Sequence, residues 1–241
     1  MHREPNRKVA RTPRLARYFL IGLAVYLVVV YGVMPNVDRH EAQRHPDLVA
    51  GEHVTHTSTG MPGDPLDIAL VGSQAEVIRA LTAAGWRPAD ALTFDSSVRI
   101  AVDTVMDRPD PAAPVSSLFL DGRKQDLAFE MPVGHSPKQR HHVRFWKSPQ
   151  PTEDGLTLWM GSATHDTRVE LSHRTGQVTH HIDAKVDAER DLLVAGLQQA
   201  NAVKEVTWIA GFQKMLQGKN GGGDPWFTDG RLPVVRLKAA P

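Results

Sequence analysis

Seven of the twelve histidines in this chain fall between residues 135 and 181: His135, His141, His142, His165, His173, His180 and His181. Histidine is the commonest metal ligand and the side chain that titrates nearest neutral pH. In "RHHVRFW", Arg140 to Trp146, an extended backbone sends alternate residues to opposite faces. His141, Val143 and Phe145 then share one face, and His142, Arg144 and Trp146 the other. Two adjacent histidines cannot therefore hold one ion, and the same applies to His180 and His181 in "THHID". One histidine from each pair converges with His165 or Asp166 of "ATHD" only if the strands pair. His141, His165, His181 and Asp183 are the candidate ligands of a divalent metal, the one cofactor this chemistry suggests. No spacing here matches a closed motif such as HExxH. The competing reading is a set of histidines hydrogen-bonded within a half-buried sheet.

The stretch "VTHHIDAKVDAERD", Val178 to Asp191, adds carboxylates to this set. His181 and Asp183 share a face, and a carboxylate beside an imidazole fixes its tautomer. His181, Asp183 and Asp187 are thus the candidate acid–base residues. Helix capping competes for the acids, because Asp183 or Asp187 at a helix N-terminus would accept orphan amide hydrogens. Arg140, His142 and Arg144 form a candidate binding set for an anion such as a phosphate or a lipid headgroup. The chain has no Gly-x-Ser-x-Gly elbow. The turn at Gly72 lacks the further glycines of a dinucleotide fingerprint or a P-loop. With no cysteine, disulfides, thiolate nucleophiles and cysteine zinc sites are excluded.

The elements that must position these residues read as an α+β domain: one mixed, mainly antiparallel sheet with two or three helices. An apolar run from Leu66 to Val71 predicts a buried strand. Ser73 and Glu76 then form a capping box ahead of Val77, Ile78, Leu81 and Trp86, and Gly85 stops that helix. A second helix is expected from about Ser96 to Met106. Strand-like runs follow at 118–120, 127–131, 141–146, 157–162 and 177–182. The last helix is expected from about Val186 through Ala202. "VTWIAGF", 206–212, continues it or forms a short strand. "GKNGGG", 218–223, reads as a hinge before a closing strand. The soluble domain is therefore bounded at 62–212, with 213–241 as Gly-rich hinge and C-terminal tail.

The N-terminus has a different grammar. Residues 1–17 carry six Lys/Arg against one acid, and Tyr18 to Met34 follow with no charge. Seventeen helical residues span about 25 Å, near the short end of what crosses a bilayer core. The segment 18–34 is read as a transmembrane signal anchor, without the small-residue cleavage site of a signal peptide. The basic head 1–17 places the N-terminus in the cytoplasm and the remainder outside it. Residues 35–61 are a polar linker. The chain is then a single-pass cell-membrane protein with the lipid bilayer as one partner and an envelope protein as a candidate second. A basic head on a mildly acidic body argues against nucleic acid as a partner.

"PGDPLDIALVGSQAEVIRALTAAGWRPAD", "LFLDGRKQDLAFE", "RHHVRFW" and "THHIDAKVDAERD" occur in that order, and the ordered set resembles the LssY C-terminal domain family from about Pro62 to Asn201. The resemblance implies a bacterial, membrane-associated setting and carries over no catalytic residue. Members of that family are often fused to membrane-embedded DedA-like or PAP2-type phosphatase domains. This sequence has none of the PAP2-type motifs, so their activity does not transfer. The leading expectation is a membrane-anchored envelope protein whose soluble domain binds a ligand or protein partner near the membrane. The alternative is a metal-dependent hydrolase acting on phosphate-containing lipid or envelope substrates.

Overall fold

The computed structural model describes residues 14–28, 53–57, 60–89, 117–133, 139–171 and 178–239. The chain divides into two units, Met1–Gln43 and Arg44–Pro241. In the first, helix α1 (Arg14–Val28) covers the front of the expected span. Tyr18, Phe19, Leu20, Ile21, Leu23, Val25 and Val28 on it are all exposed. No helix among the described residues is long and apolar enough to cross a membrane. Residues 29–34 of the expected span, 35–52 of the linker and the helix expected at 96–106 lie outside the described residues.

The second unit begins with β1 (Val54–Thr57), β2 (Pro62–Pro65), β3 (Ile68–Val71) and helix α2 (Gln74–Ala83). There follow β4 (Arg87–Pro88), β5 (Leu118–Leu120), β6 (Arg123–Lys124), β7 (Leu127–Pro132), β8 (Arg140–Lys147), β9 (Leu158–Leu171) and β10 (Val178–Ile182). Helix α3 (Val186–Gln199), β11 (Val203–Ile209), β12 (Gln217–Lys219), β13 (Pro225–Phe227) and β14 (Leu232–Leu237) complete it. The main sheet runs β11-β14-β3-β9-β8-β7-β4, with β10 paired to the far end of β9. Its ladders are antiparallel except for β14 against β3. The α+β expectation of a mixed, mainly antiparallel sheet with two or three helices therefore holds: among the described residues the second unit has α2 and α3.

Strand alternation gives the sheet two different faces. On one, Leu70, Phe129, Val143, Phe145, Trp159 and Val235 pack against Val77 and Leu81 of α2 and Leu193 and Leu197 of α3. On the other, Ala69, Val71, Trp146, Met160 and Val234 pack with Leu118 and Leu120 of a small sheet ordered β2-β1-β5-β6. At Gly161 the strands close tightly: a Cβ there would lie 2.6 Å from Phe145 Cε1 and 2.7 Å from Ile68 Cγ2.

Helix α2 begins as its sequence dictates. Ser73 Oγ accepts the Glu76 amide at 3.3 Å, and Glu76 Oε2 accepts the Ser73 amide at 2.7 Å. Gly85, with φ +90°, ends it in a conformation that costs other residues. Helix α3 begins differently from expectation. Its N-cap is Lys185, which makes no side-chain cap bond. Asp183 instead accepts the Lys185 amide at 2.9 Å. Asp187 accepts from Thr228 Oγ1 at 2.7 Å and from the Asp229 amide at 2.6 Å. The backbone bridge between Lys185 and Phe227 fixes the chain entering α3 and leaves both acids for other work.

The end of the described chain also differs from a hinge and tail. Asn201, at φ +56°, turns the chain out of α3, so 203–209 forms a strand rather than more helix. β14 then lies between β3 and β11 inside the main sheet. β12 and β13 form a hairpin, with Gly218 under the Trp226 ring: a Cβ there would meet Cζ2 at 2.5 Å.

Candidate functional site

β8 and β9 pair in register, so residues expected to diverge do so and those expected to converge meet. His141 lies opposite His165 on the helix-covered face, and their rings stack at 4.9 Å between centroids. The Trp86 ring meets His141 edge-on, with centroids 6.3 Å apart. Glu189 reaches in from α3 and holds His141 Nδ1 at 2.8 Å. Glu189 is buried because positions 186, 189, 190, 193, 194 and 197 make the inward stripe of α3. Its Oε1 and His165 Nε2 are buried without a hydrogen bond among the described residues.

Asp67, just before β3, is also buried there. Its Oδ1 accepts the Ala163 amide at 2.9 Å, and Oδ2 has no hydrogen bond. Burial pushes this carboxyl well above the ordinary 3.8; the Ala163 amide and Arg190 oppose the rise, and Glu189 adds to it.

The opposite face carries the other member of each pair. His142 Nε2 stands 3.1 Å from Asp166 Oδ2, and Arg144 Nη1 stands 3.8 Å from Asp64 Oδ2 of β2. Arg140 donates to Glu130 of β7 at 2.8 Å. Ser162 and Thr164 lie directly across the ladder from Arg144 and His142. Only 8% of Arg144 is exposed, yet its Nε and Nη1 make no hydrogen bond among the described residues. Neither do the fully buried hydroxyls of Ser162 and Thr164. Burial raises the Asp64 carboxyl above 3.8; Arg144 and Asn220 pull it down, and Asp166 and Asp224 push it further up.

His181 enters this side from β10, and its partner is not Asp183. Its Nδ1 stands 2.6 Å from Asp224 Oδ1, at the start of β13, and Asp224 Oδ2 accepts the Ile182 amide at 3.3 Å. Asn220, in the β12–β13 turn, ties the two parts together. Its Oδ1 accepts the Asp224 amide at 3.0 Å, and its Nδ2 donates to Asp64 at 3.4 Å.

The candidate residues thus separate into three places. His141 and His165 meet on the helix side. Arg140, His142 and Arg144, the expected anion set, line the other face. His181 joins them through Asp224, while Asp183 is exposed and Asp187 is bonded to the segment before β14. Among the described residues no group of three or more His, Asp or Glu is arranged to hold a metal ion. Sequence reasoning missed Asp64, Glu189 and Asp224. Glu189 alone left a signal, since its spacing puts it on the apolar stripe of α3.

These features define a mixed α+β domain with helices on one sheet face and a buried, partly unsatisfied ionisable cluster on the other. The chain belongs to the family described as LssY C-terminus, whose family model matches residues 43–232. Comparison with curated proteins and with solved structures gives no match.

Proposed function

We propose that this chain is a membrane-anchored envelope protein whose LssY C-terminus domain binds a ligand bearing an anionic group, on the sheet face away from the helices. The observation that carries this reading is Arg144. A guanidinium buried with two of its nitrogens unbonded is costly, and such groups are normally satisfied. Its nearest carboxylate, Asp64, stands at 3.8 Å and is pushed by burial toward its neutral form. The unbonded hydroxyls of Ser162 and Thr164 lie on the same face, and a phosphate or carboxylate would satisfy all three side chains. The anchoring part draws on the exposed apolar side chains of α1 and the uncharged run that continues to Met34.

The test uses the full chain in detergent micelles with inorganic phosphate and acetate as probes. Phosphate, acetate or both should raise the melting temperature. Arg144→Met, of similar length and without donors, should fold at least as stably and lose that response. No shift in the wild type, or an equal shift in the variant, would sink the reading. The hydrolase alternative is read from the same sample by metal analysis and by melting with added zinc or manganese.

A further inference from the structure

The β12–β13 hairpin presents apolar side chains outward where a soluble surface would bury them. Met215 is 53% exposed, Leu216 54% and Phe227 49%. Phe227 sits across from Gln217, two residues after Met215, whereas Leu216 takes the other side of the ladder, where its Cδ2 lies against Gly230. At the turn, exposed Met61 lies against the backbone of Gly221, where a Cβ would meet Met61 Cβ at 3.3 Å. Exposed Lys214 and Lys219 flank Met215 and Leu216 along the chain. Of the acids nearby, Asp224 is paired with His181 and Asp229 with Arg190 and Arg231, and exposed Asp183 is offset by exposed Lys185. The outward charge of the hairpin is therefore that of its lysines.

We propose that this hairpin docks on the surface of a bilayer containing anionic lipid, seating Met215 and Phe227 at the headgroup boundary with Lys214 and Lys219 against the lipid charge. Exposed aliphatic and aromatic side chains edged by lysine stems suit that boundary, where the apolar part leaves water and the ammonium does not. The same hairpin carries Asn220 and Asp224, which reach Asp64 and His181. Docking therefore brings lipid headgroups to the face that holds Arg144; this last step rests on the anion-binding reading, and the docking itself does not.

The absence of native cysteine makes a site-specific test direct. Met215→Cys and Phe227→Cys versions of the full chain are each labelled with a polarity-sensitive fluorophore. They are reconstituted into vesicles of equimolar phosphatidylcholine and phosphatidylglycerol containing brominated lipid. Leu156→Cys serves as the control: Leu156 is exposed near the start of β9, and Asp166 lies eight residues beyond Leu158, roughly 26 Å along the strand. Brominated lipid should quench the labels at 215 and 227 well beyond that at 156. Combined Lys214→Glu and Lys219→Glu substitution should lower the quenching to the control level. Equal quenching at all three positions overturns the docking. Equal quenching with an intact phosphate response in the melting assay removes the docking alone. Quenching at 215 and 227 without any anion response supports the docking and removes the Arg144 site.

Discussion

Arg190 grips both oxygens of Asp229, 39 residues further along, with Nη1 at 2.9 Å from Oδ1 and Nη2 at 3.2 Å from Oδ2. Its side chain is fully buried, lies over the Trp208 ring at 5.0 Å, and bonds Asp187, Asp191 and the Arg231 carbonyl as well. Burial alone would weaken its charge, but these carboxylates raise its pKa above the ordinary value. This one side chain fastens α3 to the segment leading into β14. Arg190→Ala removes the buried hub and leaves carboxylates that water partly reaches, so chemical denaturation should show a loss of about 1.5–3 kcal/mol. A loss under 1 kcal/mol would mean that the network is dispensable.

Asp67 gives a prediction with a definite sign in pH. Its folded pKa is raised from 3.8, so its contribution to stability is complete below 3.8 and lost as pH rises through the folded value. Asp67→Asn keeps an acceptor for the Ala163 amide and removes the ionisation. Melting temperatures of the two proteins should converge at acidic pH and separate in favour of the variant toward neutral pH. A wild type that gains on the variant as pH rises would contradict this.

Gly161 is required by its neighbours rather than by its backbone. Gly161→Ala places a methyl within 2.6–2.8 Å of the Phe145 ring, directly across the ladder. Overpacking of this kind typically costs about 1–3 kcal/mol. In a Phe145→Leu background the same substitution should cost less, and a double-mutant cycle measures the difference. Strict additivity would show that the contact with Phe145 is not the cause.

Glu189 and Arg144 lie on opposite sides of the sheet, so their effects should separate. Glu189→Ala removes the partner of His141 Nδ1 in a buried setting and should cost about 1–3 kcal/mol. The rise in melting temperature caused by phosphate should be the same as in the wild type. A phosphate response abolished by Glu189→Ala would link the two faces and require a different site.

What local rules decide was readable. The alternation in "RHHVRFW" correctly split His141 from His142, and the capping box at Ser73 and Glu76 formed as written. Partners set by the order of strands were not. His181 takes Asp224, 43 residues away, because the β12–β13 hairpin folds back beside β10. Proximity in sequence favoured Asp183, but the strand ends at Ile182 and Asp183 bonds the turn instead. "PGDP" reads as a turn, yet it pairs with β1 and brings Asp64 to Arg144. A periodicity argument cannot supply such pairings, since they join chain segments 43 and 80 residues apart.

The position of β14 bears on how the protein is made. Among the described residues its one parallel neighbour is β3, and the register Val234 to Ala69 joins residues at nearly opposite ends of the domain. Among them, too, β11 reaches the rest of the sheet through β14 alone. A nascent chain released as far as residue 231 therefore carries an open β3 edge and an unattached β11. Closing contacts of such long sequence separation is intrinsically slow. During synthesis the domain should stay susceptible to proteases and holdase chaperones until Leu232–Leu237 emerges, and should lock only then.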